Sequence, residues 1–202
     1  ELVTWGKLKP KLLSETIPTI KEVNVETAAI QYVYYVRAKT SSGSETFLVK
    51  EFYRVRYSGS RLYLLNFRRT MEAVFNPKLT SVRKSQFKIG VSNESNFQLT
   101  LNDKANELAF VRNGSLWYYD MDKDNLHEVF SFAQKKTDYL RDTYDQHNIK
   151  ILNFDDNNTI NFVVYGYMNC GDYEGRVAVI LYNYDPAKNL ITERVYIPLE
   201  TT

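Results

Sequence analysis

The residues best suited to do chemistry are three aspartates at alternate positions, Asp120, Asp122 and Asp124, followed by Asn125. Alternate carboxylates in a turn can surround a hard cation with oxygen ligands, and calcium is the natural candidate for such a set. However, the twelfth position of the loop is Ser131, which cannot supply the bidentate carboxylate of a calcium loop. Aspartate also dominates ordinary turns, because its side chain bonds the local backbone. The sequence therefore leaves a calcium site open and favours a turn.

A second candidate is the loop that joins the two middle strands of the last predicted unit. Tyr167 and Tyr173 offer amphipathic rings that bind at low entropic cost. Asp172, Glu174 and Arg176 place charges beside those rings. We predict that these five residues form the binding site, if the chain has one. The alternative is core packing, because tyrosine is common throughout the chain.

Catalysis and cofactor binding find little support in the residues. Only His127 and His147 are available as histidine bases, and no serine lies in a glycine-flanked elbow. The single cysteine, Cys170, excludes an internal disulfide and a cysteine-based metal cluster. Neither a phosphate-binding loop nor a dinucleotide fingerprint is present. We therefore expect a protein that is not an enzyme and holds no cofactor.

The pattern around the acidic motif is typical of antiparallel hairpins. Asn113-Gly114 between two apolar runs is a strong hairpin signal, because both residues tolerate positive φ. A two-residue loop sets the register and places Phe110 opposite Trp117. The other face pairs Ala109 with Tyr118 and Val111 with Leu116. Since both faces are apolar, we expect this hairpin to be covered on both sides.

The order of strand, turn, strand, polar turn and strand occurs twice in the C-terminal half. In both copies an Asn-Leu pair, Asn125-Leu126 and Asn189-Leu190, marks the end of the polar turn. A strand over 149–154 would give the second copy four strands, about the content of a propeller blade. The sequence thus predicts two propeller-blade-like units, at about 95–132 and 149–198.

Two segments of the second unit resemble an uncharacterised bacterial family of extracytoplasmic proteins with propeller-like repeats. They are Tyr165-Gly166-Tyr167-Met168-Asn169 and Glu174-Gly175-Arg176-Val177. The resemblance covers roughly the last hundred residues and includes no catalytic motif. It implies an architecture and an extracytoplasmic location, and it implies no activity. A closed propeller needs about four or more blades, and this sequence provides two.

Upstream, the region is also rich in strand-forming residues. Apolar and polar residues alternate from Ala29 to Ala38, which predicts a strand paired with Thr46 to Tyr57. We therefore predict a mostly β fold of antiparallel sheets. A basic, β-rich N-terminal region at 1–90 precedes the propeller-like repeat region at 91–202. The segment 132–147 is predicted to be a short helix or a loop between the two units.

Charge is unevenly distributed along the chain. The segment from Lys50 to Lys88 holds ten basic and two acidic residues, and the rest of the chain after Lys88 holds ten basic and seventeen acidic ones. The basic segment could bind an anionic partner such as a cell-wall polymer, lipid headgroups or nucleic acid. The favoured alternative is that these charges pair within the fold or face solvent, because strands alternate faces. The net charge of +2 predicts no nucleic-acid partner.

These patterns predict a non-enzymatic, extracytoplasmic binding or scaffold module of a larger, membrane-anchored protein. Its partner would be a protein, a glycan or an anionic cell-wall polymer. Membrane contact is expected only through an anchor outside this chain, because no apolar run is long enough to cross a bilayer. The alternative is an accessory propeller-like domain of a hydrolase whose catalytic residues lie outside these 202 residues.

Overall fold

The computed structural model describes residues 4–40, 43–77, 97–133 and 144–200. Strands make up 64% of this part, which contains no helix and therefore no helix able to span a membrane. The strands form antiparallel sheets, so the prediction of a mostly β fold is confirmed. The predicted helix or loop at 132–147 lies largely outside the described residues. The chain divides into two compact units, Glu1–Asn93 and Glu94–Thr202.

The N-terminal unit is one five-stranded sheet. Its strands are β1 (Lys11–Leu12), β2 (Pro18–Val23), β3 (Thr27–Thr40), β4 (Gly43–Ser58) and β5 (Arg61–Ala73). β3, β4 and β5 form a meander of long strands, and the short β1 and β2 both pair with the remaining edge of β3. The strand predicted over 29–38 and its predicted partner are therefore present, and both are longer than predicted.

One face of this sheet is covered by the N-terminal arm. Tyr34 and Val36 of β3 lie on that face with Val49 of β4, and all three are buried. Trp5 of the arm packs against them. The period of two in β3 selects these residues, because every second side chain points to the same face.

The C-terminal unit consists of two four-stranded meanders. The first contains β6 (Leu99–Leu101), β7 (Glu107–Arg112), β8 (Ser115–Asp120) and β9 (Asn125–Ser131), and the second contains β10 (His147–Phe154), β11 (Ile160–Tyr167), β12 (Val177–Asp185) and β13 (Leu190–Pro198). In both sheets each strand pairs with the next one along the chain. This shared order is the structural basis of the repeat.

The β7–β8 hairpin has the predicted register. Phe110 lies opposite Trp117, and the pairs on the other face are those expected from the Asn113-Gly114 turn. Phe110 and Leu116 point to opposite faces and are both fully buried. The prediction of a hairpin covered on both sides is therefore confirmed.

The two meanders pack face to face around one core. Phe130 of β9 contacts Phe162 of β11 with ring centroids 5.9 Å apart, and Tyr118 of β8 contacts Tyr184 of β12 at the same distance. Gln98 adds a polar link, because its amide donates to the carbonyl of Ile149 at 2.7 Å and accepts from the N–H of Ile151 at 2.9 Å. A side chain that directly precedes β6 thus satisfies backbone groups at the edge of the second sheet.

Both sheets use the same polar turn. Asp185 Oδ1 accepts from the N–H groups of Ala187 and Lys188, and its Oδ2 accepts from Lys188 Nζ at 2.7 Å. Asp120 does the same for the N–H groups of Asp122 and Lys123 and for Lys123 Nζ. An Asp-x-x-Lys sequence therefore closes the turn in each sheet, because the aspartate bonds its own backbone two and three residues on.

The Asn-Leu pairs seen in the sequence are not equivalent. Asp120 lies opposite Asn125, whereas Asp185 lies opposite Leu190. The position with positive φ is Asp124 in the first turn and Asn189 in the second, and each accepts a hydrogen bond from the tyrosine five residues before it. The repeat is real, and its true register differs by one residue from the one marked by Asn-Leu.

Replacing Gly166 in β11 tests the packing between β10 and β11. An added Cβ would lie 2.3 Å from the carbonyl oxygen of Gln146 and 2.9 Å from the Cα of His147. Neither backbone atom can yield easily, so we expect Gly166→Ala to lower the free energy of unfolding by more than about 3 kcal/mol. Gly171→Ala is the control, since Gly171 also has positive φ but no neighbour within 4 Å. It should cost about 1–2 kcal/mol in urea denaturation, the strain of a side chain at positive φ alone, and equal losses would contradict the assigned contact.

Candidate binding groove

The acidic motif forms a hydrogen-bonded turn. Asp120 is buried, and its carboxylate is occupied by two backbone N–H groups and by the ammonium of Lys123. The hydrogen bond from Lys123 holds the pKa of Asp120 below its usual range, because it stabilises the charged form. Asp120 therefore has the role of a turn-closing acceptor.

The other two carboxylates face different donors. Asp122 accepts from the amide of Asn106 at 2.6 Å, and Asp124 accepts from the hydroxyl of Tyr119 at 2.8 Å. Within the described ranges, no group of three or more His, Cys, Asp or Glu side chains is arranged to hold a metal ion. The geometry thus favours the turn over the calcium site.

Both tyrosines among the five predicted binding residues have ring partners in the described part of the chain. Tyr173 stacks on Tyr196 with centroids 3.9 Å apart and donates to Glu193 at 2.8 Å. Tyr167 contacts the ring of Tyr144 edge to face at 4.9 Å. Both predicted rings therefore pack against other aromatic side chains of the C-terminal unit. The three charged residues, Asp172, Glu174 and Arg176, are exposed, and their role in binding stays a prediction.

The histidines and the cysteine are packed among aromatic neighbours. His127 Nε2 lies 2.5 Å from the hydroxyl of Tyr184, and burial lowers the pKa of this histidine. His147 lies edge-on to Phe132 at 4.7 Å. Cys170 Sγ lies 3.8 Å from the carbonyl of Phe132. Each of these side chains thus contributes to packing in the C-terminal unit.

The basic segment pairs partly within its own sheet. Arg54 bonds both carboxylate oxygens of Glu22 at 2.8 and 2.9 Å, and Arg69 pairs with Glu51 at 2.5 Å. Its residues from 78 to 88 lie outside the described part. The intramolecular interpretation therefore holds for these two arginines.

The N-terminal unit contains a groove of about 600 Å³ that the sequence patterns did not predict. It lies between the covered face of the sheet and the N-terminal arm. Most of its walls are aromatic or aliphatic: Trp5, Tyr32, Tyr34, Tyr53, Pro10, Leu12, Ile30, Val36 and Val55. Thr16 and Glu51 are its polar members. Such a concave, mostly apolar cleft with few polar groups is the usual form of a ligand site.

Glu51 lies at the base of the groove and is only 6% exposed. Its Oε1 accepts from Arg69 Nε at 2.5 Å, and its Oε2 accepts from the hydroxyl of Tyr53 at 2.8 Å. Burial, followed by the bond to Glu51, raises the pKa of Tyr53 to about 12. Burial and the same carboxylate also raise the pKa of Tyr34. Both hydroxyls are therefore protonated at neutral pH and donate to Glu51.

Arg69 connects this carboxylate to the arm. Its guanidinium lies 4.0 Å over the ring of Trp5, and its Nη1 donates to the carbonyl of Thr4 at 3.2 Å. Farther along the arm, Ser14 accepts from the N–H of Tyr35 at 3.0 Å. The arm is thus held at several points, which makes it one wall of the groove.

A signal for this site was present in the sequence. Glu51 interrupts the apolar side of the strand predicted over Thr46 to Tyr57, where strand alternation places it with Val49 and Tyr53. A charge at such a position needs a partner, because burying an unpaired charge is costly. The arm supplies no comparable pattern, so the groove itself could not be predicted.

No protein-family model matches the chain, and neither a curated protein nor a solved structure matches it.

Removing Arg69 tests the pair at the base of the groove. Arg69→Met leaves Glu51 buried without its cation, so we expect a loss of about 3–5 kcal/mol in the free energy of unfolding. Adding Glu51→Gln should restore part of this loss, because the buried charge is gone. Arg54→Met is the control, since it breaks an exposed pair and should cost less than about 1 kcal/mol. Chemical denaturation measures all four proteins, and an equal loss for both arginines would contradict the assigned role.

Calcium titration tests the acidic turn. Because each carboxylate already accepts from a protein donor, we expect millimolar calcium to leave the melting temperature unchanged. A ligand that binds only the folded state would raise that temperature. An increase that is lost in Asp122→Asn would overturn this expectation and restore the calcium hypothesis.

Proposed function

We propose that this protein is a non-enzymatic binding module whose ligand occupies the aromatic groove of the N-terminal unit. The observation that supports this function is the buried Glu51, held by Arg69 and two tyrosine hydroxyls at the base of a mostly apolar cleft. The groove volume also falls within the range of small-ligand pockets.

The proposed ligand is an uncharged glycan. Tyr32 and Tyr53 meet at 86° with centroids 5.9 Å apart, so two ring faces form a corner in the wall. The electron-rich face of an aromatic ring attracts the polarised C–H groups of a sugar. Thr16 and the carboxylate of Glu51 can accept sugar hydroxyls. A highly charged ligand is disfavoured, because Arg69 already balances Glu51 and an anionic polymer would face this carboxylate.

The C-terminal unit is proposed to serve as a scaffold of two propeller-blade-like sheets. Its support is the repeated four-strand order and the repeated Asp-x-x-Lys turn. The proposal of a non-enzyme is supported by the packing of His127, His147 and Cys170 among aromatic residues. The same proposal includes an extracytoplasmic location and attachment to a larger, membrane-anchored protein. These two parts are supported by the family resemblance alone.

Fluorescence of Trp5 tests the groove directly. The chain has two tryptophans, so Trp117→Phe leaves Trp5 as the only one. We expect neutral oligosaccharides, such as oligomers of β-linked glucose or N-acetylglucosamine, to shift the emission of Trp5 saturably. Tyr32→Ala should weaken binding at least about fivefold, because stacking on an interface ring is worth about 1 kcal/mol or more.

Tyr63→Ala is the matched control for this measurement. Tyr63 lies on β5 of the same sheet, is 45% exposed and does not line the groove. Its replacement should leave binding unchanged. Equal weakening by both substitutions, or an emission that no oligosaccharide alters, would contradict the proposed function. Saturable binding of an apolar peptide in place of sugars would assign the groove to a peptide ligand.

A further inference from the structure

We infer that the outer face of the sheet β10–β13 is a docking surface for another sheet of the same repeat. On β11, β12 and β13 the outer face consists of Val163, Tyr165, Val179, Leu181, Val195 and Ile197, and on the edge strand β10 it continues with Asn148 and Lys150. Strand register places these residues in two rows across the sheet, Val163 with Leu181 and Val195, and Tyr165 with Val179 and Ile197. The exposed fractions of Tyr165, Val195 and Ile197 are 40%, 44% and 49%. A contiguous apolar patch of this kind marks an interaction site.

The internal repeat indicates what covers such a face. Matching Asp120 with Asp185 in the two turns also matches the pair Val111–Leu116 with the pair Val163–Leu181. The same two residue types therefore lie opposite each other at equivalent positions of both sheets. In the first sheet this pair is buried in the core shared with the second sheet. The outer face is thus the equivalent of a face that another sheet covers within this chain.

The covering face has its own pattern. In the second sheet it contains Ile160, Phe162 and Tyr184, which are all at most 1% exposed. By the same match, the first sheet has Leu108, Phe110 and Tyr119 at these positions, and they are also buried. The stacking is therefore directional: the Val–Leu face of one sheet packs on the aliphatic–aromatic face of the next.

This direction identifies the occupant by chemistry. Both aliphatic–aromatic faces in the described part of the chain are already buried. A second copy of the chain could offer such a face only by opening its own core. The occupant is therefore a partner sheet that the described residues do not contain, with Ile or Leu, Phe and Tyr at the positions of Ile160, Phe162 and Tyr184.

Polar groups bound the outer face at its turn end. Asn161 accepts from Asn183, Asn183 accepts from Arg194, and Asn161 donates to Asn153 at 3.0 Å. This row crosses all four strands of the sheet. An apolar centre with a polar rim is the usual composition of a protein interface.

A tandem protein tests this inference with a probe of known sequence. A second copy of residues 144–200 is joined by a flexible linker after Thr202, with Tyr165→Phe in the added copy only. The added sheet then presents the faces of Ile160, Phe162 and Tyr184 to the original outer face. Hydroxyl-radical footprinting with mass spectrometry measures tyrosine oxidation. Because the added copy has phenylalanine at position 165, oxidised Tyr165 comes from the original copy alone. We expect its oxidation to fall severalfold relative to the single chain, and the melting temperature to rise.

Ile197→Glu in the original copy should abolish both effects, because it places a charge in the covered face. Leu101→Glu is the matched control, since Leu101 lies in the first sheet and is 44% exposed, and both effects should persist in it. If the oxidation of Tyr165 is not reduced in the tandem protein, the inference is overturned. The same holds if the added copy stays unfolded, because the outer face is the surface that this copy is expected to pack against. A dimer of the single chain in light scattering that Ile197→Glu dissociates would assign the face to a second copy and would also overturn it.

Discussion

The constraint on which this structure depends is that its apolar sheet faces have no helix to cover them within the described residues. A strand places every second side chain on the same face, so each sheet has a face that must be removed from water. In the C-terminal unit, one meander covers the other, and Phe130 packs on Phe162. In the N-terminal unit, an extended arm with Trp5 covers part of the face. An arm covers a sheet less completely than a second sheet does, and the groove lies where this cover is incomplete.

The charge at the base of the groove has a structural consequence. A buried ion pair adds little net stability, because both ions lose their hydration. Its value lies in specificity, since Glu51 and Arg69 can satisfy each other only when β4 and β5 are in register. Arg69 then stacks on Trp5, so the same cation that pairs with Glu51 also positions the arm. Strand register, arm position and groove shape are therefore coupled through one side chain.

The predictions from sequence succeeded where the physics is local. The Asn113-Gly114 turn determined the pairing of Phe110 with Trp117, because a two-residue loop allows one register. The Asn-Leu pairs were misleading for the same kind of reason. The residue pair Asn-Leu occurs near both turns, but the hydrogen bonds of Asp120 and Asp185 define the equivalent positions. The spacing of the three aspartates suggested a cation site, whereas their donors come from three different places in the fold.

The sequence by itself determined the strands, their hairpins and the side chains that share a face, since alternation and turn chemistry act over a few residues. Only the tertiary structure decided what covers each face. Tyr173 stacks on Tyr196, more than twenty residues away. Arg69 meets Thr4 and Glu51, which no local pattern connects. Contacts between distant segments depend on how whole sheets and the arm pack, and the period of two along a strand contains no information about that packing.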